Sequence, residues 1–304
     1  PGIKSLYEEL REAMPDTEIT CSFGYHFAGD DESGHEEALA AAEKADLVIL
    51  TLGGKNGTGS ASSMGEGIDG TDINLPPCQE RFLEKLSALK KPAVGIHFNG
   101  RPISSDGADK YLNAIIEAWN PAEAGSQAIV EALLGRYNPG GKLPVSVACT
   151  SGQIPVYYNH PYGSSFHQGE SIGFENYVDM PHTPRYCFGH GLSYTEFSYE
   201  NLQIEKHEVM PQEQVKVSVE IKNTGSRTGD EVVQLYVSDR YASLTRPNRE
   251  LAGFKRVNLK PGQTKKLTFT MNVSQFAFLD KKHRWLTEEG DMDILVGSSS
   301  QDIR

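Results

Sequence analysis

Three carboxylates, Glu66, Asp69 and Asp72, lie in a segment made largely of glycine and small polar residues, GGKNGTGSASSMGEGIDGTD over 53–72. Within it GEGIDG, Gly65 to Gly70, matches the dinucleotide fingerprint G-x-G-x-x-G letter for letter. That fingerprint works through its surroundings. Its first glycine directly follows a strand, and its third lets a helix start whose N-terminus cradles pyrophosphate. Here the apolar run DLVILTLGG ends near Leu52, well before Gly65, and TDINLPP after Gly70 does not open a helix. Glu66 would also put a carboxylate where two phosphate charges should sit. A P-loop fails too, because Lys55 in GGKNGTG has no Ser or Thr after it and the glycine spacing is wrong. Two readings remain. Either the segment is a solvated loop, or it presents an acid. A glutamate on a mobile loop serves as proton donor when apolar contact or a neighbouring negative charge keeps its proton on. The segment leaves the carboxyl end of what reads as a buried parallel strand, where α/β sheets present their ligand chemistry. Glycine lets such a carboxylate swing toward something outside its own domain.

The elements that must position this loop follow from periodicity. Ile3, Leu6, Tyr7, Leu10 and Met14 recur at helical spacing, and TEITCSF (17–23) reads as a strand. SGHEEALAAAEKA (33–45) reads as a helix whose capping box is Ser33 with Glu36. DLVILTLGG (46–54) is a continuous apolar strand of the kind buried on both faces of a parallel sheet. Pro76 and Pro77 open a helix with Phe82, Leu83, Leu86 and Leu89 on one face. PAVGIHF (92–98) and AIIEAW (114–119) are further strands, and EAGSQAIVEALLG is a helix closed by Gly135. Residues 1–160 therefore predict an α/β three-layer sandwich with a mainly parallel sheet. The series begins on a helix where such domains begin on a strand. The missing strand is expected on a segment outside 1–304, and TEITCSF is expected to need a partner from there.

From residue 197 the period changes to two. Val215, Val217, Val219 and Ile221 alternate with Lys216, Ser218 and Glu220, and Val233, Leu235 and Val237 repeat the pattern. Leu267, Phe269, Met271 and Val273 follow, then Met292, Ile294 and Val296, with turns at Asn223–Gly225 and Pro261–Gly262. Short alternating strands of this kind predict an all-β, immunoglobulin-like sandwich over 197–304. Residues 161–196, rich in Gly, Ser, His, Pro and Tyr, read as a connector whose aromatics pack it down on a surface.

Composition narrows the function. The 304 residues are 38% hydrophobic and 23% charged, a globular profile. The net charge of −12 argues against a nucleic-acid partner, and no apolar run reaches the length of a membrane span. Cys21, Cys78, Cys149 and Cys187 are far apart and form no metal motif, so they read as buried free thiols, which favours a reducing, cytoplasmic setting. The opening PGIKSLYEEL shows no signal peptide, and because the series begins on a helix this stretch need not be the natural start, so a targeting signal is not read from it. His97 and His160 read as structural histidines, Trp119 and Trp285 as core residues, and Arg101 in NGRP as structurally paired. Asn56-Gly-Thr58 and Asn272-Val-Ser274 match glycosylation sequons without implying use.

Several stretches together resemble one family. They are GEGIDGTDINLPPCQ (65–79), NPAEAGSQAIVEALLGRYNPGGKLPVS (120–146), QIPVYYNH (153–160) and CFGHGLSYTEF (187–197). In the β half they are NTGSRTGDEVVQLYVSD (223–239) and RPNRELAGFKRVNLKPGQ (246–263). In this order they resemble the C-terminal part of family 3 glycoside hydrolases of the β-glucosidase/β-xylosidase type. The resemblance implies a preceding (β/α)8 barrel with an aspartate nucleophile, then the α/β sandwich, then a fibronectin type III-like domain. It implies that Glu66 is the general acid/base and that Ile68 and Asp69 contact substrate. Relatives often carry an aromatic residue where Ile68 stands and an arginine where Gly70 stands, departures that bear on aglycone recognition and on the partner of Asp69. The implied substrate is a β-linked glucoside or oligosaccharide cut at its non-reducing end. No cofactor is called for, and self-association is left open. No residue here matches the nucleophile, so the chain is expected to be inactive without its barrel. The competing reading is a non-catalytic module that binds carbohydrate or a partner.

Overall fold

The computed structural model describes residues 2–59, 62–161 and 177–304. They fall into two compact units, residues 1–137 with 147–154, and residues 138–146 with 155–304.

In the first unit, α1 (Leu6–Ala13) starts from Ser5. The Ser5 side chain accepts from Glu8 N while the Glu8 carboxylate accepts from Ser5 N at 2.7 Å, a reciprocal cap that satisfies two donors otherwise stranded at a helix start. At α2 (His35–Lys44) the structure departs from the Ser33/Glu36 expectation: the cap is Gly34, with no side-chain hydrogen bond. Asp31 Oδ1 accepts from Ser33 N at 2.9 Å, so a local turn has already engaged that serine. β1 (Val48–Gly53), β2 (Ala93–Phe98) and β3 (Ala114–Trp119) form a parallel sheet in that order, with Leu50 opposite Gly95 and Gly95 opposite Ile115. α3 (Pro77–Ser87) begins with proline at its first helical position and buries Phe82, Leu83 and Leu86 against Leu50 and Leu52. α4 (Asp106–Tyr111), which carries no apolar stripe to announce it, is capped by Ser105 and tied to α3 by Glu80. The Glu80 carboxylate accepts from Ser105 Oγ at 3.1 Å and Gly107 N at 2.8 Å. α5 (Gly125–Leu133) packs against α1, and Gly135 beyond it takes the positive φ of a helix stop.

TEITCSF does not pair. Residues 17–23 form no strand, and Phe23 is 63% exposed. Among the described residues, β1 pairs only with β2. Among the described residues no strand lies beside this segment, and an isolated extended segment has no ladder to define it. The same segment leaves Cys21 exposed and Cys149 is only partly covered, so of the four free thiols only Cys78 and Cys187 are buried as expected.

In the second unit, β4 (Phe197–Ile204), β5 (Gln214–Asn223) and β8 (Thr264–Asn272) make one antiparallel sheet. β6 (Gly229–Asp239), β7 (Glu250–Leu259) and β11 (Met292–Gly297) make the other. The alternating residues face inward as the period of two requires. Val217, Ile221, Val233, Leu235, Leu259 and Phe269 are members of one core. The outer face of β6 is covered as well. Gln234 donates to Gly189 O at 3.2 Å and Ser298 O at 2.6 Å, and Tyr158 stacks on Phe188 at 4.3 Å while meeting Tyr236 edge-on. The described part of the connector, 177–196, thus packs down at residues 187–190; residues 162–176 lie outside the described residues. Residues 138–146 also belong to this unit, although the α/β pattern runs through them. Lys142 donates to Gly191 O at 3.0 Å, and Leu143 exchanges backbone bonds with His190 and Gly189, both at 2.8 Å.

β9 (Phe278–Leu279) and β10 (Trp285–Leu286) form a short hairpin. Trp285 was expected in the core. It is 73% exposed, because two-residue strands place it opposite Leu279 on the solvent side of the hairpin while Phe278 turns inward.

Asn223 illustrates how the second unit is specified. It is fully buried, accepts from Thr195 Oγ1 at 2.8 Å and Gly225 N at 3.0 Å, and donates to Arg227 O at 2.7 Å and Leu259 O at 2.9 Å. Replacing it with alanine strands several buried polar groups at once. Asn223→Ala is expected to cost about 2–4 kcal/mol, read as a lower urea midpoint at unchanged m. A loss below about 0.5 kcal/mol would contradict this account of the turn.

Candidate active-site loop

The loop that carries Glu66 starts where β1 ends. Gln79 grips both backbone groups of Gly53, accepting from its N–H and donating to its C=O, each at 2.8 Å, and donates also to His26 O at 3.0 Å. The end of β1 and the start of α3 are thereby locked together, and the next residues leave from a fixed point. Residues 62–65 run alongside 54–57 in the same direction, with a parallel bridge between Asn56 and Met64. Lys55 O accepts from Ser63 N at 3.0 Å, Gly57 N donates to Met64 O at 3.0 Å, and Met64 is buried beneath. The two segments pass so close that a Cβ at Gly65 would sit 2.0 Å from Gly57 O, and Gly65 also has φ +133.

Glu66 and Gly67 are the two central residues of a tight turn closed by Ile68 N donating to Gly65 O at 3.2 Å. Gly67 has φ +72 and Glu66 is not among the positive-φ residues, the combination that defines a type II turn and requires glycine at its third position. This explains Gly67 directly: the turn projects Glu66 outward and glycine makes the turn affordable. Glu66 is exposed, and among the described residues nothing hydrogen-bonds to its carboxylate or pairs with it. Asp69 is exposed as well. Asp72 is used locally, accepting from Asn74 N at 3.0 Å and Asn74 Nδ2 at 3.1 Å. Ile68 is half-buried, and its backbone carbonyl rather than its side chain has a defined role.

That role involves Arg101. Its Nη1 donates to Ile68 O at 3.0 Å and its Nη2 to Ser63 O at 3.2 Å, in keeping with the structural pairing read from NGRP. Behind it, Asn99 is fully buried and donates through Nδ2 to both oxygens of Glu117, at 3.1 and 2.9 Å. Glu117 also accepts from Trp119 N at 3.1 Å, and Asn99 N donates to Trp119 O at 3.0 Å. His97 Nδ1 lies 3.5 Å from Glu117, so this histidine belongs to the same buried cluster, and Trp119, at φ +54, closes it. Gln79, Asn99 and Glu117 escaped the sequence reading. Asn99 and Glu117 end apolar strands, which was the available signal, but nothing in their spacing announces that they meet.

A cleft of about 200 Å³ adjoins the loop, lined by Phe27, Gly54, Met64, Asp72, Asn74 and Arg101 among others. Lys55 Nζ sits 5.7 Å above the Phe27 ring. Among the described residues no group of three or more His, Cys, Asp or Glu is placed to hold a metal ion, and no helix is long and apolar enough to cross a membrane.

Comparison with known proteins agrees with this architecture. Residues 1–194 match the glycosyl hydrolase family 3 C-terminal domain, and residues 231–300 match the fibronectin type III-like domain. A periplasmic β-glucosidase of Salmonella typhimurium is 34% identical over 88% of the chain, which covers 35% of that protein. The thermostable β-glucosidase B of Acetivibrio thermocellus is 34% identical and a β-xylosidase of Formosa agariphila 36%, each over 99% of the chain and 40% of the relative. Among solved structures, a mutant β-glucosidase of Listeria innocua in complex with laminaribiose superposes with TM-score 0.88 at 32% identity, over all of the chain and 41% of the relative. A β-glucosidase of Erythrobacter marinus superposes with TM-score 0.87 at 32% identity, over 99% of the chain and 42% of that one. The chain spans about two fifths of the length of such relatives. Its parallel three-stranded sheet with covering helices and its antiparallel β-sandwich are the two parts those matches name, and the chain belongs to glycoside hydrolase family 3, as the C-terminal domain of that family followed by the fibronectin type III-like domain.

Proposed function

We propose that this chain is the acid/base-bearing portion of a retaining β-glycosidase of the β-glucosidase kind, acting on terminal non-reducing β-linked sugars. One observation carries the reading. Glu66 stands at the tip of a type II turn at the carboxyl edge of a parallel sheet, its carboxylate facing solvent and engaged by no described residue. A carboxylate presented in this way is available to a sugar held by another domain.

Retaining hydrolysis needs two carboxyl groups about 5–5.5 Å apart across the glycosidic bond. In the proposed reaction Glu66 protonates the departing glycosidic oxygen while an aspartate of the barrel attacks the anomeric carbon. The Glu66 carboxylate then takes a proton from water as that water displaces the aspartate and releases the sugar with its configuration retained. Contacts of Ile68 and Asp69 with the substrate belong to the same proposal. Both stand beside the turn, so a sugar reaching Glu66 passes them.

The division of labour is testable with the chain itself. Purified 1–304 is expected to hydrolyse no p-nitrophenyl β-glucoside, because an acid/base without a nucleophile forms no glycosyl intermediate. Adding a barrel segment of the family is expected to restore turnover. Hydrolysis by the chain alone would place the nucleophile within these residues and overturn the split.

A further inference from the structure

We propose that Arg101 is the positioning residue of the acid/base turn, a guanidinium that fixes Glu66 by holding the backbone on both sides of it. The inference rests on the reading of Glu66 as general acid/base. The turn closes where Ile68 N donates to Gly65 O across an isolated bridge between these two residues, and has glycine on either side of Glu66. Left to itself such a turn wanders, since glycine has the widest backbone freedom of any residue. Arg101 supplies the restraint the turn lacks. One arm of its fork binds Ser63 O, before the turn, and the other binds Ile68 O, at its end. No carboxylate among the described residues pairs with it, so its donors serve the loop.

The anchor is itself anchored. Arg101 follows Asn99 and Gly100; Asn99 is held by Glu117 and by Trp119 O, and the Gly100 N–H points at Met64 Sδ under the loop. The ends of β2 and β3 are thereby connected to Glu66 through one planar, two-armed side chain. A lysine cannot replace it fully, because a single ammonium is a point donor and the two carbonyls need a fork. Gly70 leaves room for the guanidinium: a Cβ there would lie 3.2 Å from Nη2.

A displacement of about 1 Å at a reacting group costs on the order of 100-fold in rate. In the barrel-bearing enzyme, Arg101→Gln is expected to lower kcat/KM for alkyl β-glucosides or disaccharides about 10- to 100-fold. The loss on 2,4-dinitrophenyl glucoside, which leaves without a proton, should be far smaller. Arg101→Lys should recover part of the loss. On a Glu66→Gln background, Arg101→Gln should add nothing, because two residues acting through one step are not additive. Equal losses on both leaving groups, additive losses in the double variant, or wild-type behaviour would each overturn the proposal. If Arg101→Gln does not fold, Gly70→Ala crowds Nη2 without removing it; a several-fold loss confined to poor leaving groups supports the proposal, and a flat profile contradicts it. Should Glu66→Gln alone show no dependence on the leaving group, the acid/base reading itself fails and takes this inference with it. Should Glu66→Gln show it and the Arg101 variants not, only the positioning role is lost.

Discussion

Glu66→Gln in the barrel-bearing enzyme is expected to lower kcat/KM about 10²- to 10⁴-fold for β-glycosides with poor leaving groups. For 2,4-dinitrophenyl glycosides kcat/KM should change little. The difference follows from where the proton is needed. An alkoxide or sugar leaving group departs only when protonated, whereas an activated phenolate departs by itself, and kcat/KM reports that first step. The second step needs the same residue as a base, so kcat should fall even for the activated substrate as the glycosyl-enzyme accumulates. Gln preserves the shape and the outward position of the side chain on its turn, and among the described residues the exposed carboxylate has no structural partner to lose. The folded state should therefore be unaffected, and the loss should be chemical. Equal losses on both substrate types would move the acid role elsewhere, with Asp69 and then Asp72 next. Of these Asp69 is the freer, because Asp72 is already engaged with Asn74.

The second large effect concerns the open side of the sheet. Among the described residues β1 pairs only with β2, residues 17–23 pair with nothing, and Phe23 is exposed beside them. The alternate backbone groups of β1 that point away from β2 are taken only in part, Thr51 O by the Tyr25 hydroxyl at 3.2 Å and Gly53 by Gln79. We propose that a segment outside 1–304, carried with the barrel, supplies a strand to this edge. Unpaired edges otherwise invite association with other chains. Adding the barrel-bearing segment is expected to raise the melting temperature of the chain by several degrees, about 2–4 °C for each kcal/mol gained at this size. Amide exchange should slow at residues 17–23 and along β1. Unchanged exchange at both places, with activity restored, would show that the edge is not where the barrel-bearing segment joins.

Much of the fold was legible in the sequence because two periods are hard to confuse. Val215 to Ile221 alternate and line one face of β5, and the apolar run DLVILTLGG forms β1, where Leu50 and Leu52 are buried on one face while Thr51 on the other is exposed. Pro77 opens α3 and Gly135 stops the chain after α5, each for a reason that belongs to the residue itself. The misses share a different cause, namely competition by a partner the sequence does not reveal. Ser33 had the spacing of a capping residue, but Asp31 took its N–H. TEITCSF has strand composition, and among the described residues no strand lies beside it. Trp285 is apolar and belonged to the core by that criterion, yet a two-residue hairpin turns it to solvent. At the proposed site, Glu66 and its glycines were readable as a candidate acid on a loop, and the structure describes that loop as an exposed turn. Arg101, Asn99, Glu117 and Gln79 were not readable as its support, because they reach it from other strands and helices and only folding brings them together.

The most direct test of Glu66 as acid/base is the product formed when Glu66→Ala, in the barrel-bearing enzyme, turns over 2,4-dinitrophenyl β-glucoside in the presence of azide. With no carboxylate to deprotonate water, the glycosyl-enzyme persists, and azide, which needs no base, enters through the space left by the missing side chain. If Glu66 is the acid/base, kcat rises with azide and β-glucosyl azide accumulates, identified by its anomeric proton coupling. Glucose as the sole product, at a rate indifferent to azide, would contradict it.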